Sequence, residues 1–221
     1  LPAIALKKPE KFILKESLIE NFKQVRVGLK SRLLPYFVMM GIWAYAIANN
    51  QIAIPLLGVQ KFNLSAWQVS LLFAMMGFGS VLVQAFLIGK ISRKYGEERT
   101  FKIGLLLMAA AIFMMSFSPT VVFLTFMIVA MAFGSALSRP TLNSIISKLA
   151  VEGQGTTMGI AVSFEAIGRI LGPAAGGYLF QKFNGFGPFW VSAFVIVFFL
   201  TLYNRNYIFS FLKPRIKVSG K

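Results

Sequence analysis

Six apolar stretches follow one another between residues 33 and 208, at about 33–58, 66–89, 101–117, 119–147, 156–181 and 187–208. Each is close to the roughly 20 residues a helix needs to cross a hydrocarbon layer. A bilayer core offers a backbone N–H or C=O no partner, so such runs must satisfy their hydrogen bonds within themselves, as helices. The chain is therefore read as an all-α integral membrane protein with six transmembrane helices. Its 57% hydrophobic content exceeds the roughly 45–50% of an ordinary soluble domain. The third and fourth stretches are divided only by the polar and proline residues Ser116, Ser118 and Pro119 at their junction. A serine–proline break with proline at the first helical position predicts a tight hairpin there.

The charges divide along this frame. Net charge is +16, with 23 Lys and Arg against 7 acids, none of them aspartate. A basic chain can bind nucleic acid, but that requires cations on one soluble surface, whereas these lie between apolar runs. Nineteen of the 23 fall in the amino-terminal segment, the second-to-third and fourth-to-fifth connections and the carboxyl end, while only Lys61 and Lys182 lie on the other side. The excess of cations on cytoplasmic loops predicts that both termini are cytoplasmic, with the plasma membrane as the expected location. Residues 1–32 read as a basic cytoplasmic connector, in which Leu14, Leu18, Phe22, Val25, Leu29 and Leu33 recur at helical spacing, and 209–221 as a basic cytoplasmic tail. The amphipathic helix expected in the connector suits an anionic leaflet. The basic start at Leu1 is unlike a signal peptide, and the chain reads as a piece of something longer.

Several chemistries have no residues to perform them. The chain has no cysteine and no histidine, so disulfides, the usual zinc ligands and histidine-based nucleophile systems are excluded. No GxxxxGK[ST] phosphate loop occurs. We expect no enzyme activity, no metal and no cofactor.

Two features inside the apolar stretches carry information. The run Gly159–Gly177, GIAVSFEAIGRILGPAAGG, places glycines at 159, 168, 172, 176 and 177, with Pro173 after Gly172. Spacings near four predict a glycine face on which a partner helix can approach almost to backbone contact. Charged side chains within a span are costly, roughly 2.5–3.5 kcal/mol each on insertion scales, and mark function by default. Arg139, Glu165 and Arg169 are the three cases. Glu165 and Arg169, four apart, can pair on one helix, and Arg139 falls at a similar depth on the preceding one. The expected cluster is either a protonatable switch at Glu165 or a self-neutralising structural network. Pro55, Pro140 and Pro173 are expected to bend their helices.

Three pieces of sequence resemble the major facilitator superfamily. The stretch Gly89–Gly104, GKISRKYGEERTFKIG, is similar to the family's cytoplasmic gating loop through Gly89, Ile91 and Gly96 with flanking Arg93 and Lys94. Arg93 stands where the signature has aspartate, and Glu97 and Glu98 follow the second glycine, as in the degenerate copy found in the second half of such transporters. The stretch Gly134–Gly159, with Pro140 and the EGQG turn, resembles the fourth and fifth helices of a six-helix half. Gly159, Gly168, Gly172, Pro173, Gly176 and Gly177 match the family's antiporter signature at every spacing. The resemblance is closest to drug–proton antiporters of the multidrug and tetracycline efflux type.

The resemblance implies one half of a major facilitator fold, a 3+3 inverted repeat, most similar to the carboxyl-terminal half. It further implies secondary-active efflux of small molecules or drugs by alternating access, with protons as coupling ion. The implied partners are the lipid bilayer, an amino-terminal six-helix half, a small-molecule substrate and protons. It also implies that the first helix lines the cavity, making Asn49, Asn50 and Gln51, with Tyr45 and Trp43, substrate-contact candidates. Interhelix hydrogen bonding is the alternative for the amides. An amino-terminal half and a non-transporting membrane scaffold remain as alternative readings.

Overall fold

The computed structural model describes residues 33–150 and 154–204. The connector 1–32 with its expected helix, the acidic end of the fourth-to-fifth turn at 151–153, and residues 205–221 with the expected basic tail lie outside the described residues. Six helices cover the rest, with no strand among the described residues: α1 (Leu34–Phe62), α2 (Ala66–Tyr95), α3 (Glu97–Met115), α4 (Val121–Leu149), α5 (Gln154–Lys182) and α6 (Gly187–Asn204).

Local chemistry sets the helix ends. α1 ends where Asn63 turns left-handed (φ 51°) and donates its N–H to the Val59 carbonyl. Two residues later Ser65 caps α2 reciprocally: its hydroxyl accepts from the Gln68 N–H while its own N–H donates to the Gln68 side chain. α2 contains one π-helical turn, Val83–Leu87. Gly96, at φ +81°, is the whole α2–α3 connection. That backbone angle favours glycine. Glu97 and Glu98 then sit in the first turn of α3, where the helix dipole favours negative charge.

Three expectations change. The second-to-third connection is not an extended cytoplasmic loop: Gly89, Lys90, Arg93 and Lys94 lie on the last turns of α2, and Arg99 and Lys102 on α3. A helix that leaves the hydrocarbon becomes polar without ending, so the apolar run stops before the helix does. Pro119 is not the first helical residue. α4 begins at Val121, capped by the Thr120 hydroxyl, which accepts from the Phe123 N–H. Finally, five of the six helices are long and apolar enough to cross a membrane. α3 is the exception, because Glu97, Glu98, Arg99 and Lys102 occupy its first turns. Pro55, Pro140 and Pro173 each lie inside a helix that continues past them.

α1 is the central element. It packs along α5 and also meets α6 and α4; α3 packs on α4 and α6, α2 on α4, and α5 on α6. Phe37, Met40 and Ile54 of α1 join Phe101, Met108 and Ile112 of α3, Leu124 and Ile128 of α4, and Phe189 and Ile196 of α6 in one core. Two-thirds of the apolar stretch of α1 is buried in the bundle, against 17% for α2 and 28% for α5. The faces left open therefore belong chiefly to α2 and α5.

Glycine sets the closest approaches. A Cβ on Gly172 would lie 2.7 Å from the Ala48 Cβ and 2.8 Å from the Asn49 nitrogen, and one on Gly168 would overlap the Gly41 carbonyl oxygen. Gly176 abuts Asn49 in the same way. Lipid tails are as apolar as leucine, so helices in a membrane associate through close packing, which this seam provides. Gly159 and Gly177 are not part of it, since a Cβ on either meets nothing within 4 Å. Each is nine residues from Gly168, about two and a half turns, and so faces the opposite way. A second close approach, not anticipated from the sequence, joins α3 to α4: Cβ atoms on Gly104 and Gly134 would lie 2.7 and 2.5 Å from each other's carbonyl oxygen.

Gly172→Ala is expected to lower the thermal midpoint in detergent, by an amount equivalent to about 1–3 kcal/mol, because backbone must move to admit the methyl group. Gly177→Ala should leave the midpoint unchanged or raise it, having open space and better helix propensity. Equal effects of the two would contradict the seam.

Candidate functional site

The intramembrane charges meet in one cluster. Arg139, on α4, directs Nη2 at both oxygens of Glu165, 3.1 and 3.2 Å away. Arg169, one turn along α5 from Glu165, donates from Nε at 3.1 Å and Nη2 at 2.7 Å to Oε1. Glu165 is buried, but the Arg139 and Arg169 side chains remain 43% and 57% exposed. At about 1.5 Å per residue, Arg139 and Glu165 each lie roughly 15 Å from the nearer, fourth-to-fifth-connection end of their helices. Arg169 lies close to the middle of α5.

Two neighbours complete the cluster, Trp43 buried and Ser135 half-buried. The Arg139 guanidinium lies over the Trp43 ring at 5.3 Å, a cation–π contact from α1. The indole N–H of Trp43 donates to the Ser135 hydroxyl, one turn before Arg139, at 3.1 Å. Trp43, expected as a substrate contact, thus packs under the arginine. Ser135 was not anticipated; its position at i−4 from Arg139 is the signal that was available. Arg139 Nε is buried without a hydrogen-bond partner.

The other first-helix candidates scatter. Asn49 is fully buried and donates to the Pro188 carbonyl at 2.9 Å and to the Ser192 hydroxyl, so it ties α1 to the start of α6. Asn50 is also fully buried and donates back to the Ala46 carbonyl. Neither presents its amide to an open face. Gln51 is exposed, and Tyr45 is half-buried beside the backbone of Gly168 and Gly172. The remaining signature residue, Pro173, is exposed on α5.

At the α2–α3 end the cations of the expected gating loop do not all form ion pairs among the described residues. Arg93 donates from Nε to the Gly89 carbonyl at 3.1 Å, and Lys94 lies over the Tyr95 ring. The acids after Gly96 make the ties: Glu97 receives Lys148 Nζ and the Ser144 hydroxyl, both at 2.7 Å, linking α3 to the end of α4. Glu98 pairs with Lys102 at 2.8 Å and accepts from the Tyr203 hydroxyl of α6. The Lys148 and Ser144 hydrogen bonds hold the Glu97 carboxyl below its ordinary range. At the other end Lys61 donates to the Ser118 carbonyl at 2.7 Å and the Trp190 indole to the Ser116 hydroxyl at 3.0 Å, fastening the α3–α4 hairpin to α1 and α6.

Together these features define an integral membrane helical bundle with a charged, partly open site at mid-span. Residues 36–215 match the Major Facilitator Superfamily, and the chain belongs to that transporter family. It is 31% identical over 206 residues to "Multidrug resistance protein 2" of Bacillus subtilis (strain 168), a match covering 84% of this chain and 50% of that protein. It is 24% identical over 171 residues to "Solute carrier family 22 member 18" of Mus musculus, covering 77% of this chain and 42% of that one. The chain spans about half the length of the curated relatives it matches. The crystal structure of the human organic anion transporter MFSD10 (TETRAN) superposes with a TM-score of 0.72 over 77% of this chain and 40% of that one, at 20% identity, a likeness of fold.

Removing the shared carboxylate strands two like charges, whereas removing Arg169 leaves a balanced pair. Glu165→Gln should therefore destabilise the bundle by about 2–4 kcal/mol. Arg169→Gln, which removes an exposed partner, should cost under about 1 kcal/mol. Thermal midpoints in detergent give the order, and a larger loss for Arg169→Gln would contradict this charge balance.

The Glu97 tether has a defined pH response. A carboxyl held below its ordinary value contributes stability above that value and loses it as pH falls through the lowered one. Carbon-13 NMR of labelled glutamate should find Glu97 titrating below the ordinary carboxyl range, and Lys148→Met should move it back up.

Proposed function

We propose that these residues are the carboxyl-terminal six-helix half of a secondary-active efflux transporter, which moves small molecules or drugs out of the cell by alternating access in exchange for protons. One observation carries the reading: two half-exposed arginines, Arg139 on α4 and Arg169 on α5, sit at mid-span where hydrocarbon cannot solvate them. α5 is the least apolar of the five membrane-crossing helices and among the least buried. Its open face must therefore meet water or other protein. Exposed Gly155, Gly159, Ser163 and Ala166 on α5 leave room for another helix to approach closely.

Three further points support a half-transporter. The most extensive helix pairings map onto one another when α1–α3 exchange with α4–α6: α1–α5 becomes α4–α2, α3–α4 becomes α6–α1, and α3–α6 returns itself, with α4–α5 the exception. That is the pattern a 3+3 inverted repeat produces. The matched relatives are about twice as long, and two of them are named multidrug resistance proteins. The cation-rich connections favour cytoplasmic termini, and the plasma membrane is the location proposed here. In this frame substrate lies between the halves near the bilayer midplane.

Glu165 is the sole acid in the six apolar stretches, hence the one carboxylate here that can carry a coupling proton. Both arginines hydrogen-bond its carboxylate, so coupling through it requires that pairing to open. Co-expression of residues 1–221 with an amino-terminal six-helix half should give efflux from loaded cells that neither piece gives alone. Efflux by the monomeric piece contradicts the reading. In proteoliposomes of the full transporter, Glu165→Gln should abolish proton-driven exchange; unchanged exchange removes Glu165 as the carrier.

A further inference from the structure

The charge cluster is unbalanced, and the surplus is positioned where a solute can reach it. Two guanidiniums face one carboxylate, leaving one net positive charge at mid-span. A network serving only to neutralise itself needs one arginine for one glutamate. A second, 57% exposed on the face that lipid cannot cover, carries a desolvation cost that the Glu165 pairing alone does not offset.

The donors point the same way. Each guanidinium has five N–H groups. Among the described residues Arg139 engages protein acceptors through Nη2 alone, so its Nη1 has no acceptor there. Arg169 engages Nε and Nη2, so its Nη1 has no acceptor among the described residues. The Glu165 oxygens are unevenly used: Oε1 accepts three of these bonds and Oε2 one. The carboxylate therefore holds the two arginines side by side without saturating them. Trp43 fixes the Arg139 plane from below, by cation–π contact and its tether to Ser135.

We infer that Arg139 and Arg169 form a subsite for the anionic group of an organic solute, a carboxylate or sulfonate, with Glu165 as the internal anion that positions the pair. A carboxylate or a sulfonate can offer two oxygens to parallel N–H bonds from a guanidinium, and such charge-assisted bonds are about twice as strong as neutral ones. A cationic solute is repelled by the same surplus charge. The solute anion and Glu165 compete for shared donors, so neutralising Glu165 strengthens solute binding. The inference names the substrate class of the cavity proposed above and rests on that reading. Binding measured without transport separates the two, because a bundle that does not transport can still hold the anion.

The test uses the full transporter in lipid nanodiscs, with naphthalene-2-sulfonate as probe and the trimethylammonium cation of the same ring as control, titrated calorimetrically. The sulfonate should bind saturably and the cation at least about tenfold more weakly. Arg169→Gln, which leaves the Arg139–Glu165 pair balanced and the fold intact, should weaken the sulfonate about tenfold or more. Arg139→Lys, which keeps the charge but not the fork, should weaken it less than Arg139→Gln does. Glu165→Gln should tighten it. Equal affinity for anion and cation, or sulfonate binding unchanged by Arg169→Gln, overturns the inference. Efflux of a cation with no sulfonate binding would overturn the subsite and leave the transporter reading standing.

Discussion

One carboxylate holds the open side of the bundle together. Glu165 receives hydrogen bonds from Arg139 on α4 and Arg169 on its own helix, and it alone is buried among the three. The buried acid is admitted because both arginines pair with it, while their exposed parts need water or protein beyond the bundle. The pairing therefore fixes the register of α4 against α5. It works only because α5 lies close on α1, which the seam of Gly168, Gly172 and Gly176 permits. With α5 so placed, Trp43 of α1 reaches the Arg139 plane. Packing and electrostatics are thus one device: the glycines set a distance, and the charges use it.

The rest of the bundle arranges itself around this asymmetry of exposure. α1 is buried along most of its length, while α2 and α5 turn broad faces outward. The α2 face is strongly apolar and needs no explanation beyond lipid or another helix. The α5 face mixes Arg169, Ser163, small residues and isolated aliphatics, a composition suited to a wall between water and protein. At the two ends of the bundle, short polar ties close the frame: Glu97 with Lys148 and Ser144 on one side, Lys61 and Trp190 on the α3–α4 hairpin on the other. A bundle stiffened at both ends and open along α5 fits a family that rocks one half against another.

Much of this was legible in the sequence, for identifiable reasons. Apolar length reveals helices because bilayer thickness is fixed, so six helices fall close to their expected places. The Arg139–Glu165–Arg169 meeting was readable because unpaired charges cannot persist at that depth. Helix ends were not readable where α2 runs on past the hydrocarbon through Arg93 and Lys94, since hydropathy reports the membrane and not the backbone. The glycine faces were misread because a repeat near four drifts against a helical period of 3.6. Over nine residues Gly159 and Gly177 rotate to the far side of α5, while Gly168, Gly172 and Gly176 stay together. Asn49 illustrates the remaining gap: an amide in a span signals a partner but not a direction, and its partners, Pro188 and Ser192, lie some 140 residues away.

On the proposed reading, the α5 face bearing Arg169 is lined by water and protein, not by lipid. Residues 1–221 contain no cysteine, so once any cysteine elsewhere in the full transporter is replaced, a single introduced thiol reports without background. Ala166 is exposed on that face, and Phe113 is exposed on α3 at 40%. In the full transporter in a bilayer, Ala166→Cys should react rapidly with a membrane-impermeant methanethiosulfonate, and Phe113→Cys should not, because thiolate forms only where water reaches. An inert Ala166→Cys that reacts only with lipid-soluble reagents would place this face in hydrocarbon and contradict the account.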